Sequence, residues 1–526
     1  MSDEPSVSTD PTLSDQSQAN AATRRKRRTV IGAAAAVIIV LAAAAGITAW
    51  ATSDEPGKTT AAADDKTLTV ALQLFPDNLD IRSTAGAALD QTLIDNVYQP
   101  LVSRDPKGKI LPGIAKSWTA SPDSLTHTFT LFPGTMFSNG DPLTAKDVAW
   151  SINQVTAKQY KDYQALASVE SVTATDDQTV VVKLKQPDPA LLYTLAGRPG
   201  LVFDEKATND PKSTAVGSGP FLVDSFKAGA TLTLTRNPKY WGEKAGVSSV
   251  AFKLFSDTNA IVNAVLDGSV DVAGIDPNLL PKVKGNPNYD VVTGFASDKF
   301  TLAFNNRVAP FTDLKVRQAV RHAIDHDAIV KAIGAGKTLY GPIVDSDPGY
   351  QDLSGLYPHD AAKAKQLLAE AGHANGLELT LKIPSFYGTT IPGLLTSQLA
   401  QAGIKLTVTS VDFPTWLKEV YTNHDFQLSI VDHAEARDFS NWANPKYYFG
   451  YDNKQVQQLY QQATTATSES AYASLLQQAA QIVSQDAAAD WLYNPTANTA
   501  VRKGLTGVPT DSTSSRLNLT HVKVSR

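Results

Sequence analysis

The 526-residue sequence contains no cysteine. That absence excludes disulfides, thiolate zinc sites, iron–sulfur clusters, cysteine nucleophiles and a lipid-modified amino-terminal cysteine. Excess positive charge is missing too, with a formal net charge of −5. The first 29 residues hold slightly more bases than acids, so the deficit belongs to the body, which makes it a poor binder of polyanions. Nucleic acid is therefore excluded as a partner. Catalytic signatures are lacking as well. There is no Gly-x-Ser-x-Gly elbow, His433 beside Glu435 lacks His-Glu-x-x-His spacing, and no carboxylate pair stands at a hydrolytic spacing. Gly334-Ala335-Gly336-Lys337-Thr338 resembles a phosphate loop, but Lys331 stands where the first glycine is required. His322 and His326 are four apart, as in helical metal sites, yet Asp325 between them is placed to cap a second helix. No nucleophile–base pair emerges. The residues therefore give no sign of an enzyme, and neither a cofactor nor a metal is expected.

What is present is apolar surface in quantity. Hydrophobic residues make up 42%, including 17 Tyr, 18 Phe and 7 Trp. The length exceeds one core, and at roughly 100–200 residues per domain two or three lobes are expected. Residues 1–29 form a Ser-, Asp-, Thr- and Ala-rich tail that ends in the basic cluster Arg24–Arg28. The uncharged run Val30–Ala51 follows; as a helix it is about 33 Å long, enough for a bilayer core of ~30 Å. The basic cluster places residues 1–29 in the cytoplasm and the rest outside. Ala49-Trp50-Ala51 also fits a small-x-small cleavage site, so a retained single-pass anchor and a cleaved signal segment are both open. Residues 52–65 read as a linker.

From residue 66 the chain alternates strands and helices. Thr67–Leu72, Thr126–Leu131, Thr179–Lys185, Thr231–Thr235, Glu378–Ile383 and Lys405–Val411 carry strand character. Thr144 with Asp147 makes a capping box for a helix at Ala145–Val155. A helix over Ala361–Ala371 stops at Gly372, and the next stops near Gly403. The fold class is α/β.

Several ordered segments carry a family resemblance. The first is Asn96–Ile152, with Tyr98 to Leu101, Leu111-Pro112, Ser117-Trp118, Phe129, Phe137, Asn139-Gly140 and Thr144 to Val148. Gly217-Ser218-Gly219-Pro220-Phe221, Arg236 to Trp241, Phe304-Asn305-Asn306, Pro310-Phe311 and Val316 to Asp325 continue it, with Lys363–Gly372 and Leu399–Val408. Phe132 departs from it, standing where a basic residue is usual. The set resembles the bacterial extracellular solute-binding proteins of family 5, which serve oligopeptide, dipeptide and nickel ABC importers. The resemblance implies a periplasmic-binding-protein-like fold of two hinged lobes with an inserted third subdomain. The expected boundaries are a first lobe over 66–303 with an insert near 106–215, a second lobe over 304–497, and a return over 498–526. Crossings are expected near Phe304–Asn306 and Tyr493–Asn498.

The implied partners are a peptide or other small solute and the membrane permease subunits of an ABC importer, with the body a monomer. Non-peptide cargo (nickel chelate, haem, oligosaccharide) and presentation of a signalling peptide stay open, as does, further off, an anchored surface hydrolase. Peptide-binding relatives hold the ligand α-ammonium with a carboxylate in the segment that is here Phe426–Phe449. Asp438 sits at the best match, with Asp432 and Glu435 as alternatives. Trp416, Trp442, Trp491, Tyr387 and Tyr493 are candidate cleft aromatics, and Asn305 and Asn306 candidate crossing residues. Dipeptide-preferring relatives carry an arginine after the strand ending near Ile383. This chain has Ser385, Phe386 and Tyr387 there, which favours a longer peptide or a non-peptide solute.

Overall fold

The computed structural model describes residues 67–84, 86–255, 257–511 and 516–525. The tail, the Val30–Ala51 segment and the linker lie outside them. Among the described residues no helix is long and apolar enough to cross a membrane.

Three main sheets organise the chain. A seven-stranded sheet runs in the order Tyr289–Phe295, Thr496–Arg502, Val272–Gly274, Thr67–Leu72, Ser249–Leu254, Thr231–Arg236, Phe221–Lys227. Thr67–Leu72 lies parallel to Ser249–Leu254, with Thr67 opposite Ser249. Its Leu68, Val70 and Leu72 enter one core and Ala71 the opposite one, so the sheet is covered on both faces.

A six-stranded sheet runs in the order Lys337–Thr338, Ala489–Asn494, Lys299–Phe304, Leu428–His433, Leu377–Pro384, Ile404–Val411. Here too alternation builds two cores. Leu302, Phe304, Leu428 and Ile430 face one side, while Ala303, Val431, Ala489 and Trp491 face the other. The third sheet, Ala115–Ala120, Thr126–Leu131, Thr179–Leu184 and Val169–Ala174, has four strands. Helix Ala145–Ala157 packs on it through Val148, Ile152 and Val155. The capping box forms as expected, the Asp147 carboxylate accepting from the Thr144 backbone N–H at 2.9 Å and hydroxyl at 2.8 Å.

Among the described residues the chain passes between the two large sheets twice. One passage uses Ala296–Asp298, between the strands Tyr289–Phe295 and Lys299–Phe304. The other is Pro495 alone, between Ala489–Asn494 and Thr496–Arg502. The first differs from the expected Phe304–Asn306. Strand Lys299–Phe304 pairs along its whole length with Leu428–His433, so it already belongs to the six-stranded sheet. Asn494 ties the passages together, its side-chain amide donating to the carbonyls of Ala296 and Asp298, both at 2.7 Å.

Candidate functional site

Two cavities of about 400 Å³ each open in this frame. The first lies past the carboxyl ends of the parallel strands Thr67–Leu72 and Val272–Gly274, against Ala296, Asp298 and Thr496 of the passages. Open α/β sheets bind ligands at such strand ends. The second is walled by Asp90 of helix Ala87–Leu93, Arg104 of strand Val102–Arg104 and Tyr193 of helix Leu191–Leu195. Opposite them stand Arg437, from the loop after Leu428–His433, and Tyr472 of helix Glu469–Gln485. Its walls thus come from the regions of the third and seven-stranded sheets on one side and that of the six-stranded sheet on the other. Arg516 lines both cavities.

The second cavity is rich in guanidinium groups. Arg198 is fully engaged, donating to Asp90 Oδ1 at 2.6 Å and to the carbonyls of Ile81, Thr84 and Gly86. Burial still holds the Asp90 carboxyl above its ordinary range, against the pull of Arg198. Arg516 Nη2 lies 3.2 Å from Asp95 Oδ2, both side chains buried. The Tyr193 ring has Arg104 and Arg437 over it, each guanidinium carbon 3.9 Å from the ring centroid. Two cations at that distance need its two faces, so the ring is sandwiched.

None of the ten side chains singled out from the sequence lines either large cavity. Asp438, Asp432 and Glu435 do come together, around Lys299. Lys299 Nζ bonds the Asp438 carboxylate at 3.1 Å and the carbonyls of Glu435 at 2.8 Å and Ser297 at 3.2 Å. Asp438 borders a small void beside Arg437 and Asp347. Burial raises the Asp438 carboxyl despite Lys299, and raises Asp432 well above its ordinary value, with Asp298 adding to the effect. His433, Glu435 and Asp438 have ligand atoms within 4.8 Å of one another, a metal-like spacing. The ammonium of Lys299 already supplies the cation there.

The aromatic candidates are packed into cores. Trp442 stacks on Phe449 at 4.2 Å and meets Trp491 edge-on at 5.1 Å. Trp416 is buried and donates its indole N–H to Ser429 Oγ at 2.9 Å. Tyr493 stacks on Phe300 at 4.7 Å, and the Tyr387 hydroxyl accepts from the Asp432 backbone N–H at 3.0 Å. Asn305 and Asn306 are brackets. Asn305 donates to the carbonyls of His424 and Phe426, and Asn306 to those of Phe304, Phe449 and Ala488. The Phe426–Phe449 segment does reach the second cavity, but through Ala436 and Arg437. Arg104, Tyr193 and Arg516 escaped notice because nothing in the linear sequence relates positions so far apart.

The other sequence features take structural roles. Asp325 caps helix His326–Ile333 through Ala328 N, separating His322 from His326. His326 bonds Asp490 at 3.0 Å, while His322 contacts the Pro358 carbonyl at 2.8 Å. Lys337 pairs with Asp345 at 2.9 Å.

Comparison with known proteins agrees with this architecture. Residues 109–457 match the family model of bacterial extracellular solute-binding proteins, family 5 middle region. A putative ABC transporter peptide-binding protein of Brucella abortus is 33% identical over 350 residues, covering 63% of this chain and 66% of the relative. The match therefore spans just under two thirds of that relative's length. A probable peptide ABC transporter periplasmic-binding protein of Sinorhizobium fredii is 28% identical over 432 residues, covering 74% and 80% of the two chains. Among solved structures, the ABC transporter substrate-binding protein CtaP of Listeria monocytogenes superposes with a TM-score of 0.81 at 22% identity, covering 88% of this chain and all of that one. A family match across most of the chain and a shared mixed α/β, periplasmic-binding-protein-like fold lead to one conclusion: the chain belongs to the bacterial extracellular solute-binding proteins of family 5.

Proposed function

We propose that this protein is the extracytoplasmic solute-binding subunit of an ABC importer, capturing a peptide or a related small solute and passing it to a membrane permease. The observation that carries this reading is the second cavity, whose walls come from opposite sides of the two passages. Two bodies joined only by short links can swing shut on a guest, excluding water, so buried polar groups of the guest must be matched by the walls. The names of the Brucella and Sinorhizobium relatives support peptide as the cargo. Val30–Ala51 anchors the body outside the cytoplasmic membrane as a single pass, and the body acts as a monomer that alters nothing it binds. Asp438 and its neighbours act from behind the cavity wall.

The test is native mass spectrometry of the purified full chain after exposure to a casein hydrolysate, followed by denaturation to release the guest. One intact solute per chain is expected, with stabilisation following RT ln(1 + [L]/Kd), about 2.7 kcal/mol at a hundredfold excess over Kd. Cleaved products accumulating with time would refute a binding-only role. Amino-terminal sequencing from membranes tests the anchor: a mature protein beginning at Thr52 refutes it.

A further inference from the structure

We propose that a third cavity, apart from the two larger ones, is a receptor for a neutral saccharide, with Trp241, Phe132 and Tyr240 as its stacking platform. The proposal goes beyond solute capture between the large sheets and does not depend on it.

The cavity measures about 280 Å³, near the lower end of the roughly 300–1,000 Å³ usual for small-molecule sites. Among the described residues, none from 299–494, the stretch that holds the six-stranded sheet, lines it. The Asp95–Arg516 ion pair stands between it and the second cavity, Asp95 lining the one and Arg516 the other. A swing of one large sheet against the other leaves its wall intact.

Three half-buried rings make the platform. Trp241 lies 5.3 Å from Phe132 and 5.5 Å from Tyr240 between centroids, tilted by 38° and 53°. Rings at such distances touch, so they form one continuous surface with no room for a guest between them. A single side chain locks it. Gln99 donates to the Tyr240 hydroxyl at 2.8 Å and accepts from the Trp241 indole N–H at 3.1 Å. Phe132 completes the surface, at the position where a basic residue is usual in the family.

The charges at the rim are already compensated. Asp95 is held by Arg516 at 3.2 Å and by the Ser103 hydroxyl at 3.3 Å, and Glu243 faces Lys523 at 3.4 Å. Neutral donors remain. Burial pushes the Tyr240 hydroxyl up to about 12, so it keeps its proton while accepting from Gln99. Asn518 accepts from the Thr520 backbone N–H at 3.0 Å through Oδ1, which leaves its amide N–H groups for a guest. This combination matches a pyranose ring, whose C–H face meets the negative faces of the rings while its hydroxyls meet the donors. A wholly apolar guest would leave those donors unmatched. A quaternary ammonium needs rings set apart around it, and these touch.

The test is saturation-transfer NMR of the purified full chain with maltotriose, cellotriose and triacetylchitotriose, and with tetramethylammonium as the cationic rival. Transfer to the ring C–H protons of at least one trisaccharide is expected, undiminished by casein hydrolysate. Phe132→Ala should weaken that binding about tenfold, the loss of one stacking face, with the fold verified by circular dichroism. Tyr240→Phe, which keeps the ring and removes the hydroxyl, serves as a second variant should the first fail to fold. Retention on insoluble cellulose or chitin would identify a polymer-borne sugar, and solution binding without retention a free one; both support the site. No transfer to any trisaccharide, tetramethylammonium bound in their place, displacement by the hydrolysate, or unchanged affinity in a folded variant overturns the saccharide site. Each of these leaves solute capture between the sheets to stand or fall by its own test.

Discussion

Lys299 and Asp438 form an ion pair of 3.1 Å with both side chains buried, inside the segment where family resemblance places the carboxylate for a ligand's ammonium. The protein's own ammonium occupies that carboxylate. Lys299 also donates to two carbonyls, so its charge is satisfied on three sides.

Removing one member of a buried pair strands the other. Lys299→Met should lower the unfolding free energy by about 3–5 kcal/mol. Urea denaturation followed by circular dichroism measures this, and a loss within 1 kcal/mol of zero, on the order of a surface substitution, would contradict it.

Asn494→Ala removes both bonds between the two passages. Loss of one partner from buried hydrogen bonds costs about 1–3 kcal/mol per stranded group, so a loss at or above the top of that range is expected. Hydrogen exchange should rise around Ala296–Asp298 before the sheet cores are affected. Unaltered exchange there would separate Asn494 from the passages.

Asp298 and His433 predict opposed pH effects. Burial, opposed by Lys299 and aided by Glu435, pushes the Asp298 carboxyl from 3.8 up to about 6. Between these values the folded state holds the proton more tightly, so this contribution is present at low pH and lost as pH rises through about 6. Burial and Lys299 push His433 from 6.5 down to about 4, so its contribution is present above 6.5 and lost as pH falls towards 4. Asp298→Asn removes the first effect and weakens the like-signed one at Asp432, to which the Asp298 charge adds. Its Tm should climb more steeply than that of the unmodified protein between about pH 4 and pH 6. Parallel curves from scanning calorimetry would refute this.

Gly217 and Gly219 sit against the backbone of Asn96 and Val97. A Cβ on Gly217 would lie 2.0 Å from the Val97 carbonyl oxygen, and one on Gly219 2.5 Å from that of Asn96. Backbone cannot swing aside as a flexible side chain can. Gly217→Ala should cost about 1–3 kcal/mol or more, by overpacking. Gly229→Ala, at a site with open space but φ 67, provides the comparison for conformational strain without a clash.

Much of the frame was legible in the sequence. Where apolar and β-branched residues alternate, as in Thr126–Leu131 and Thr67–Leu72, the strands fall where expected. Gly372 and Gly403, at φ 87 and 85, stop the helices that they were expected to stop. The site was harder. Tryptophan and tyrosine fit core and cleft equally well, and what sent Trp442 and Trp491 to the core was each other. The passage at Ala296–Asp298 was misplaced because Phe304-Asn305-Asn306 stands out in sequence, while strand pairing, which decides membership of a sheet, leaves no local mark. Asp438 was read without its partner, 139 positions away in Lys299.

The single-residue bridge at Pro495 restricts how the protein can move. One residue holds its neighbouring strand ends within roughly 7 Å of each other, and a proline ring fixes one of its two torsions. Sliding apart is therefore forbidden, and pivoting is the remaining freedom. Any relative motion of the two large sheets would therefore be smallest beside Pro495 and largest at the edges farthest from it.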